Sequence, residues 1–351
     1  MELIDILDKL CKIPAPSGRE DRLRAVIKDM LSPHAHQLEQ DKAGNLQAWL
    51  NPSSRPCLML DAHLDEVGVM VQDIEKNGCL RLVPLGGLEA RLMPGSRVTL
   101  LLSNGGDLPG VVGLAPPHVS KGQDKEPAWE DILLDIGAAN EIEAQTLGAE
   151  IGLCGVVQAG QGRLGTDGFF APNLDNRAGC ALLVWLLPRL AASLPDFSIC
   201  FNFSVGEELG LRGATTAAFH IKPDLALVLE ATVGDTPGLP ASRQPSYMGQ
   251  GPAITVMDGR QAVPWPLVRS LEAAAQAINV PCQRKRPPFG GTDGGAIAMS
   301  RGGVPTAILS VPTRYIHSPV SWLRISDLLA AASILEQWLR HHCPWPAPAR
   351  G

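Results

Sequence analysis

Three apolar runs, each closed by acidic or histidine residues, constrain this 351-residue chain more than any other feature. Cys57-Leu58-Met59-Leu60 leads into Asp61-Ala62-His63-Leu64-Asp65-Glu66, Phe197 to Val205 leads into Glu207-Glu208, and Leu225 to Leu229 leads into Glu230. Short continuous runs of this kind form strands buried on both faces, so each strand is expected to deliver acids or His at its carboxyl end. Helical spacing fills the intervals, over Arg177 to Leu194, Leu209 to Phe219, Pro266 to Ile278 and Ser326 to His341. Alternation of strands and helices builds an α/β fold, a sheet of parallel type covered by helices. Ligands bind beyond the carboxyl ends of the strands in such sheets, which is where the acids fall.

Two further segments extend this plan. Residues 2–12 and 18–31 have helical apolar spacing and are separated by Pro14-Ala15-Pro16-Ser17-Gly18, where Ser17 is the expected N-cap of the second helix. Ser326 is the expected N-cap of the last helix, whose Leu328, Leu329, Ala332, Leu335 and Leu339 form an apolar stripe. Residues 69–164 read differently. Short β-type runs such as Val98 to Leu102 and Gly110 to Gly113 are broken by turn signals such as Asn104-Gly105-Gly106-Asp107, without a long helix. The chain is therefore expected to divide into an α/β domain of residues 1–68 and 165–351 and an inserted all-β domain of residues 69–164. The length agrees, since about 150 residues make a domain.

Charge excludes some partners. Lys and Arg number 30 against 36 Asp and Glu, a net charge of −6, and no basic run is longer than Arg284-Lys285-Arg286. Nothing in that pattern follows a phosphate backbone or an anionic membrane, so neither nucleic acid nor membrane is an expected partner. The most apolar window, Gly179 to Leu187, falls short of the roughly 20 residues a membrane helix needs. Met1-Glu2-Leu3-Ile4-Asp5 lacks the basic and apolar regions of a signal peptide. The 8 cysteines lie far apart with no C-x-x-C pair, which fits reduced thiols. Cytoplasm is the expected compartment.

The side chains that suit a divalent metal centre are His63, Asp175, Glu208, Glu230 or Asp235, and His317. Imidazole with carboxylate suits zinc, cobalt or manganese, and one carboxylate shared by two ions would allow two-metal hydrolysis. Asp65, two residues after His63, is placed to accept from the other ring nitrogen of a metal-binding His. Adjacent Glu207 and Glu208 leave a strand end in different directions, so one can bind metal while the other takes a proton.

These residues sit in segments that together resemble a known family. Pro14-Ala15-Pro16-Ser17-Gly18, Asp61 to Glu66, Leu174-Asp175-Asn176-Arg177, Glu207-Glu208-Leu209-Gly210-Leu211-Arg212-Gly213-Ala214, Gly290-Gly291-Thr292-Asp293 and Arg314-Tyr315-Ile316-His317-Ser318-Pro319 are similar, in the same order, to the M42 dinuclear metal aminopeptidases. Some members of that family carry the historical label endoglucanase. The resemblance implies a zinc-peptidase-like α/β domain with a mixed sheet, and an inserted barrel-like domain that mediates dimerisation, often within a tetrahedral twelve-subunit particle. It implies two divalent ions per subunit, zinc or cobalt with manganese also accommodated. Asp175 would bridge them, His63 and Glu230 would complete one site, Glu208 and His317 the other, and Glu207 would be the general base. Asp65 would belong to the catalytic set and Asp293 would contact substrate. The family usually carries Asp where this chain has Glu230. Glu230 directly follows its apolar strand whereas Asp235 lies after Gly234, so Glu230 is the expected ligand.

The implied activity is removal of N-terminal residues from peptides by a homo-oligomer. The alternative is a metal-dependent deacylase or carboxypeptidase acting on N-acyl amino acids or related amides. A non-enzymatic scaffold would not need the full donor set. His34, His36, His118, His220, His341 and His342 have no carboxylate motif beside them and read as surface or packing residues, and the sequon Asn202-Phe203-Ser204 reads as part of a buried strand.

Overall fold

The structure is a computed structural model, which describes residues 1–114, 126–194, 196–287 and 289–344. His118 lies outside the described residues. The strands Ser198–Ser204, Cys57–His63, Leu225–Val233 and Thr306–Arg314 lie side by side in that order and run parallel at the centre of a mixed 11-stranded sheet. Every residue of Cys57–His63 and Ser198–Ser204 is buried, as continuous apolar runs covered on both faces require. Antiparallel strands, among them Leu46–Leu50 and Trp322–Arg324, extend the sheet on both sides.

Parallel register brings the functional ends level. Ser204 pairs with His63, and both Asn202 and Val228 pair with Asp61. Glu230 lies inside its strand rather than after it, because Ala231–Val233 continue the ladder against Val311–Thr313. Helix Leu174–Ala191 packs on Cys57–His63 and Leu225–Val233, while Arg212–Ile221 and Asp293–Ala298 pack on one another and on Cys57–His63. No helix of the described residues is long and apolar enough to cross a membrane.

A closed barrel interrupts this sheet. Its strands are Gly68–Ile74, Leu80–Leu85, Leu133–Asp135, Asp107–Val112, Arg97–Leu101 and Cys154–Gln158, in barrel order. It has a core of its own, in which Val69, Val71, Leu82, Val98, Leu100 and Leu134 meet. Alternating burial along Asp107–Val112 shows one face turned inward, and closure removes the exposed edges that short strands would otherwise leave.

Both expected serine caps are corrected. The second helix starts at Asp21 after Glu20, and the Ser17 hydroxyl instead donates to Asp65 Oδ2 at 2.6 Å. The last helix starts at Ile325, and the Ser326 hydroxyl donates to Asp167 Oδ2 at 2.6 Å. In each case the tertiary fold brings a carboxylate to accept the hydroxyl proton, and at the last helix Asp167 Oδ1 also accepts from the Ser326 N–H at 3.0 Å, so a distant aspartate does the capping.

One buried ion pair joins the segments that carry the site. Arg177, fully buried, donates to Glu66 Oε1 at 2.6 Å, to the Leu64 carbonyl at 2.6 Å and to the Ile13 carbonyl at 3.0 Å. Glu66 Oε1 also accepts from the Ala15 N–H at 2.9 Å. The pair ties the start of the Leu174–Ala191 helix to the end of the Cys57–His63 strand and to the N-terminal loop. Arg177→Met would leave the Glu66 carboxylate buried without its counter-charge, so unfolding free energy is expected to fall by about 3–5 kcal/mol. Urea denaturation measures this, and a loss below about 1 kcal/mol would show that the pair does not hold these segments together.

Candidate metal centre

Each donor arrives from a different element. His63 ends the Cys57–His63 strand, Asp175 opens the Leu174–Ala191 helix, Glu208 lies in the turn after Ser198–Ser204, Glu230 is within Leu225–Val233, and His317 follows Thr306–Arg314. His63 Nε2 is 3.2 Å from Asp175 Oδ1 and 3.5 Å from Glu230 Oε2. His317 Nε2 is 3.4 Å from Asp175 Oδ2 and 3.1 Å from Glu208 Oε1. Asp175 thus turns one oxygen to each imidazole. The donor atoms form two groups, His63 with Asp175 and Glu230, and Asp175 with Glu208 and His317, each within 4.8 Å.

The His63 ring is oriented from behind. Its Nδ1 lies 3.0 Å from the Asp65 carbonyl oxygen and 3.7 Å from the Asp65 carboxylate. The expected carboxylate acceptor is therefore replaced by the backbone carbonyl of the same residue. A donor bond from Nδ1 to that carbonyl turns Nε2 toward the cluster, where it becomes a ligand nitrogen once its own proton is lost. The Asp65 carboxylate is turned to other work. Oδ1 accepts from the Glu207 N–H at 3.0 Å, and Oδ2 accepts from the Glu208 N–H at 3.1 Å and from the Ser17 hydroxyl. Asp65 therefore holds the backbone of both glutamates, whose turn precedes the helix starting at Arg212. The His317 ring lies close to Gly87 on the barrel side, where a Cβ would stand 2.7 Å from its Nδ1. Only glycine fits against that ring.

Burial, and the attraction between imidazoles and carboxylates that opposes it, dominate the electrostatics. Burial alone would push His63 down, but Glu230, Glu207, Asp175 and Asp65 raise it well above the ordinary imidazole range. His317 is likewise pushed up to about 11, where burial is outweighed by Asp175 and Glu208. Asp175 is held low against the effect of burial by the two imidazoles. Burial lifts Glu207 to about 10, with Glu230, Asp293 and Glu208 adding to it and His63 opposing. Burial also lifts Glu230 to about 7 against the pull of His63. Carboxyls raised this far by burial, with neighbouring acids adding to it, call for cations when ionised. Glu230 Oε1 in addition has no hydrogen-bond partner among the described residues. An all-N/O donor set, an orphaned carboxylate oxygen and an aspartate facing two imidazoles fit divalent cations.

Other candidates are sorted by the same geometry. Asp235 is turned away to the Arg314 guanidinium and accepts from the Met248 N–H at 2.9 Å, so Glu230 is the acid brought to the cluster. Asp293, given a substrate contact by the resemblance, is fully buried behind the cluster and accepts from the Ser204 hydroxyl at 2.6 Å. Asp61, which the sequence reading passed over, lies in the same buried network and accepts from Asn202 Nδ2 at 2.5 Å. An aspartate inside an apolar strand was the available signal. That bond also keeps Asn202 in the sheet. His34, His36, His220 and His341 are exposed and His342 is half-buried.

Parallel strands ending in clustered N/O donors, joined to a separate closed barrel, define a hydrolase of the metallopeptidase type. The chain belongs to the M42 peptidase family, whose model, described as M42 glutamyl aminopeptidase, matches residues 44–334. It is 33% identical over 329 residues to the lysyl aminopeptidase of Pyrococcus furiosus, covering 92% of this chain and 93% of that protein. Its fold matches the TET aminopeptidase of a marine sediment Thaumarchaeota archaeon with a TM-score of 0.92, at 30% identity and over 97% and 96% of the two chains. It matches the Pyrococcus horikoshii TET1 peptidase with a TM-score of 0.86, at 30% identity and over 96% and 98% of the chains. That peptidase can assemble into a tetrahedron or a large octahedral shell.

Ser17 is the residue whose importance only the geometry reveals. Ser17→Ala removes a donor from a fully buried carboxylate, so stability is expected to fall by about 1–3 kcal/mol in denaturant unfolding. An unchanged midpoint would mean that Asp65 is held without it.

Proposed function

We propose that the chain is an aminopeptidase that binds two divalent cations per subunit and releases N-terminal residues from peptides. The observation that carries this reading is Asp175, whose oxygens face His63 and His317 separately, each imidazole having a second carboxylate beside it. In this reading Asp175 bridges two sites, completed by His63 with Glu230 and by His317 with Glu208. Imidazole and carboxylate donors suit zinc or cobalt, and accept manganese. When bound, such cations polarise a peptide carbonyl and bring the pKa of water toward neutrality.

The chain's own groups then divide the remaining work. Glu207 lines the same cavity as His63, Asp175 and Glu230. Its carboxylate takes a proton from the attacking water and gives it to the departing amine as the amide bond breaks. Asp65 positions Glu207 and Glu208 through their N–H groups, which keeps the proton-transfer carboxylate and the ligand carboxylate on separate tasks. The family match and the relatives named as aminopeptidases support action on a free N-terminus over deacylation of blocked amides. Free cysteines, all 8 of them, agree with a reducing compartment, and cytoplasm is the proposed location.

Metal stoichiometry with kinetics tests the assignment. Glu207→Gln is expected to keep about two ions while kcat falls by roughly 10²–10⁴. Glu208→Gln should lose one ion or exchange it readily, and recover part of its activity in excess metal. Glu230→Ala should also lose an equivalent, whereas Asp235→Ala should keep both. Metal loss in Glu207→Gln with full occupancy in Glu208→Gln would reverse the two roles. A peptide panel separates the reactions: turnover of blocked amides alone would overturn the aminopeptidase reading.

The barrel, residues 69–164 in this reading, is proposed to join subunits into dimers and larger closed particles, as in the P. horikoshii relative. Light scattering is expected to return a homo-oligomer, and a fully active monomer at assay concentration would reject this role.

A further inference from the structure

The segment from Tyr315 to Val320 stands between two cavities. On one side His317 lines the cavity of the donor cluster, about 160 Å³, whose wall also carries the buried Lys285. Burial lowers that lysine while Asp258, Glu230 and Asp175 oppose the effect, so its charge answers acids already there. A cavity of roughly 150 Å³ holds a molecule the size of benzene, and this one takes a single side chain. On the other side Tyr315, Pro319 and Val320 line a groove of about 860 Å³ together with Leu92, Pro94 and Arg97 of the barrel. That volume falls among the clefts of roughly 300–1,000 Å³ that take whole ligands. Ile316 lines both spaces, so they share a wall.

The shared wall is bent and held. Tyr315 and His317 both take left-handed backbone, with φ of +61° and +57°, a conformation costly for side chains other than glycine. Ser318 fixes the turn, donating to the Tyr315 carbonyl at 2.5 Å and accepting from the Val320 N–H at 3.3 Å. The bend sends His317 to the cluster and leaves Tyr315 and Val320 exposed along the groove, by 41% and 57%. Charge separates the two spaces. The cluster cavity is crowded with carboxylates, whereas the described residues lining the groove include no acid and one cation, Arg97. Its guanidinium makes no hydrogen bond or ion pair among the described residues. In a chain of net charge −6, an acidic cavity adjoining an apolar groove with a lone cation matches a molecule with an ammonium at one end and a carboxylate at the other. A short peptide is such a molecule.

Resting on the aminopeptidase reading above, we propose that this groove binds the part of the substrate beyond the scissile bond and that Arg97 takes its terminal carboxylate, which makes short apolar peptides with a free C-terminus the preferred substrates. Apolar side chains then cover Tyr315, Pro319 and Val320, and the guanidinium meets the carboxylate through two parallel bonds. Both contacts are made to atoms that do not react, so they act on KM more than on kcat.

The test uses the metal-loaded enzyme with the peptides X-Leu-Leu, X-Leu-Leu-Leu and X-Leu-Leu-Leu-Leu, each as free acid and as C-terminal amide, where X is whichever of Glu, Lys, Leu and Ala is released fastest. Acid and amide share shape and differ in charge, so their kcat/KM ratio isolates the carboxylate. The negative charge of the chain would by itself favour the amide. Wild type is instead expected to favour the acid by about fivefold or more at one of these lengths, the upper end for an exposed pair made bidentate. Arg97→Gln should bring that ratio to one or below through KM, and Arg97→Lys should retain part of it. Replacing the Leu residues after X by Gly should lower wild-type kcat/KM by roughly tenfold, as loss of apolar burial requires. These wild-type comparisons do not depend on the folding of any variant. A wild-type ratio at or below one at every length overturns the proposal, as does a ratio unchanged in Arg97→Gln or equal turnover of the Leu and Gly peptides. If Val320→Asp dissociates the homo-oligomer in light scattering, a second copy of the chain covers the groove and the proposal fails. Release of no residue from any of these peptides would instead overturn the aminopeptidase reading itself.

Discussion

Concentrated negative charge in a place withdrawn from water is the constraint on which the rest of the structure depends. Asp61, Asp65, Asp175, Glu207, Glu208, Glu230 and Asp293 crowd one end of the central sheet, most of them buried. Buried carboxylates are unfavourable unless paired, hydrogen-bonded or joined to cations. The imidazoles of His63 and His317 meet part of that demand, the backbone N–H groups of Glu207 and Glu208 meet another, and divalent cations meet the remainder in the function proposed here.

Supporting structure follows from the need to hold that charge in one geometry. Behind the cluster, Asp65 gathers Ser17 and the two glutamate N–H groups, so the loop between the first helices and the turn after Ser198–Ser204 are fixed by one carboxylate. Beside it, the Arg177 and Glu66 pair fixes the entry of the helix bearing Asp175. On the barrel side, Gly87 leaves the room that the His317 ring occupies, since a Cβ there would stand 2.7 Å from Nδ1. The site is thereby held from the N-terminal loop, the sheet and the helix that follows Asn173. An α/β sheet with a barrel set into it can serve both as a frame for the donors and as a surface for assembly.

Much of this was legible in the sequence. The apolar runs before His63, Glu207 and Glu230 identified buried parallel strands, because a strand covered on both faces has no polar positions to spare. His63, Asp175, Glu208, Glu230 and His317 could be selected because their donor atoms suit one class of ion and because each was read at a strand end or in a turn, although Glu230 lies within its strand. The preference for Glu230 over Asp235 followed from distance along the chain, and the geometry adds that Asp235 is engaged by Arg314. Less legible were Ser17 and Ser326, read as helix caps on local pattern alone. A hydroxyl before a helical stretch has no means of announcing that a distant carboxylate will accept its proton. Asp61 and Lys285 were hidden for a related reason, since one was a polar residue within an apolar run and the other the middle of a basic run.

The sequence by itself determined which segments are buried strands, which are helices, where a β insertion interrupts them and which residue types are available for chemistry, because period and composition are local properties. Only the tertiary structure decided that Asp175 faces two imidazoles, that His63 leans on the Asp65 carbonyl while the Asp65 carboxylate holds two glutamates, and that Lys285 shares a cavity with the donor cluster. Several of those pairings, among them Asp175 with His63 and Asp65 with Glu207, join residues more than a hundred positions apart, and they are set by strand register and by the desolvation that makes every buried charge seek a partner, neither of which is written in any one stretch of the chain.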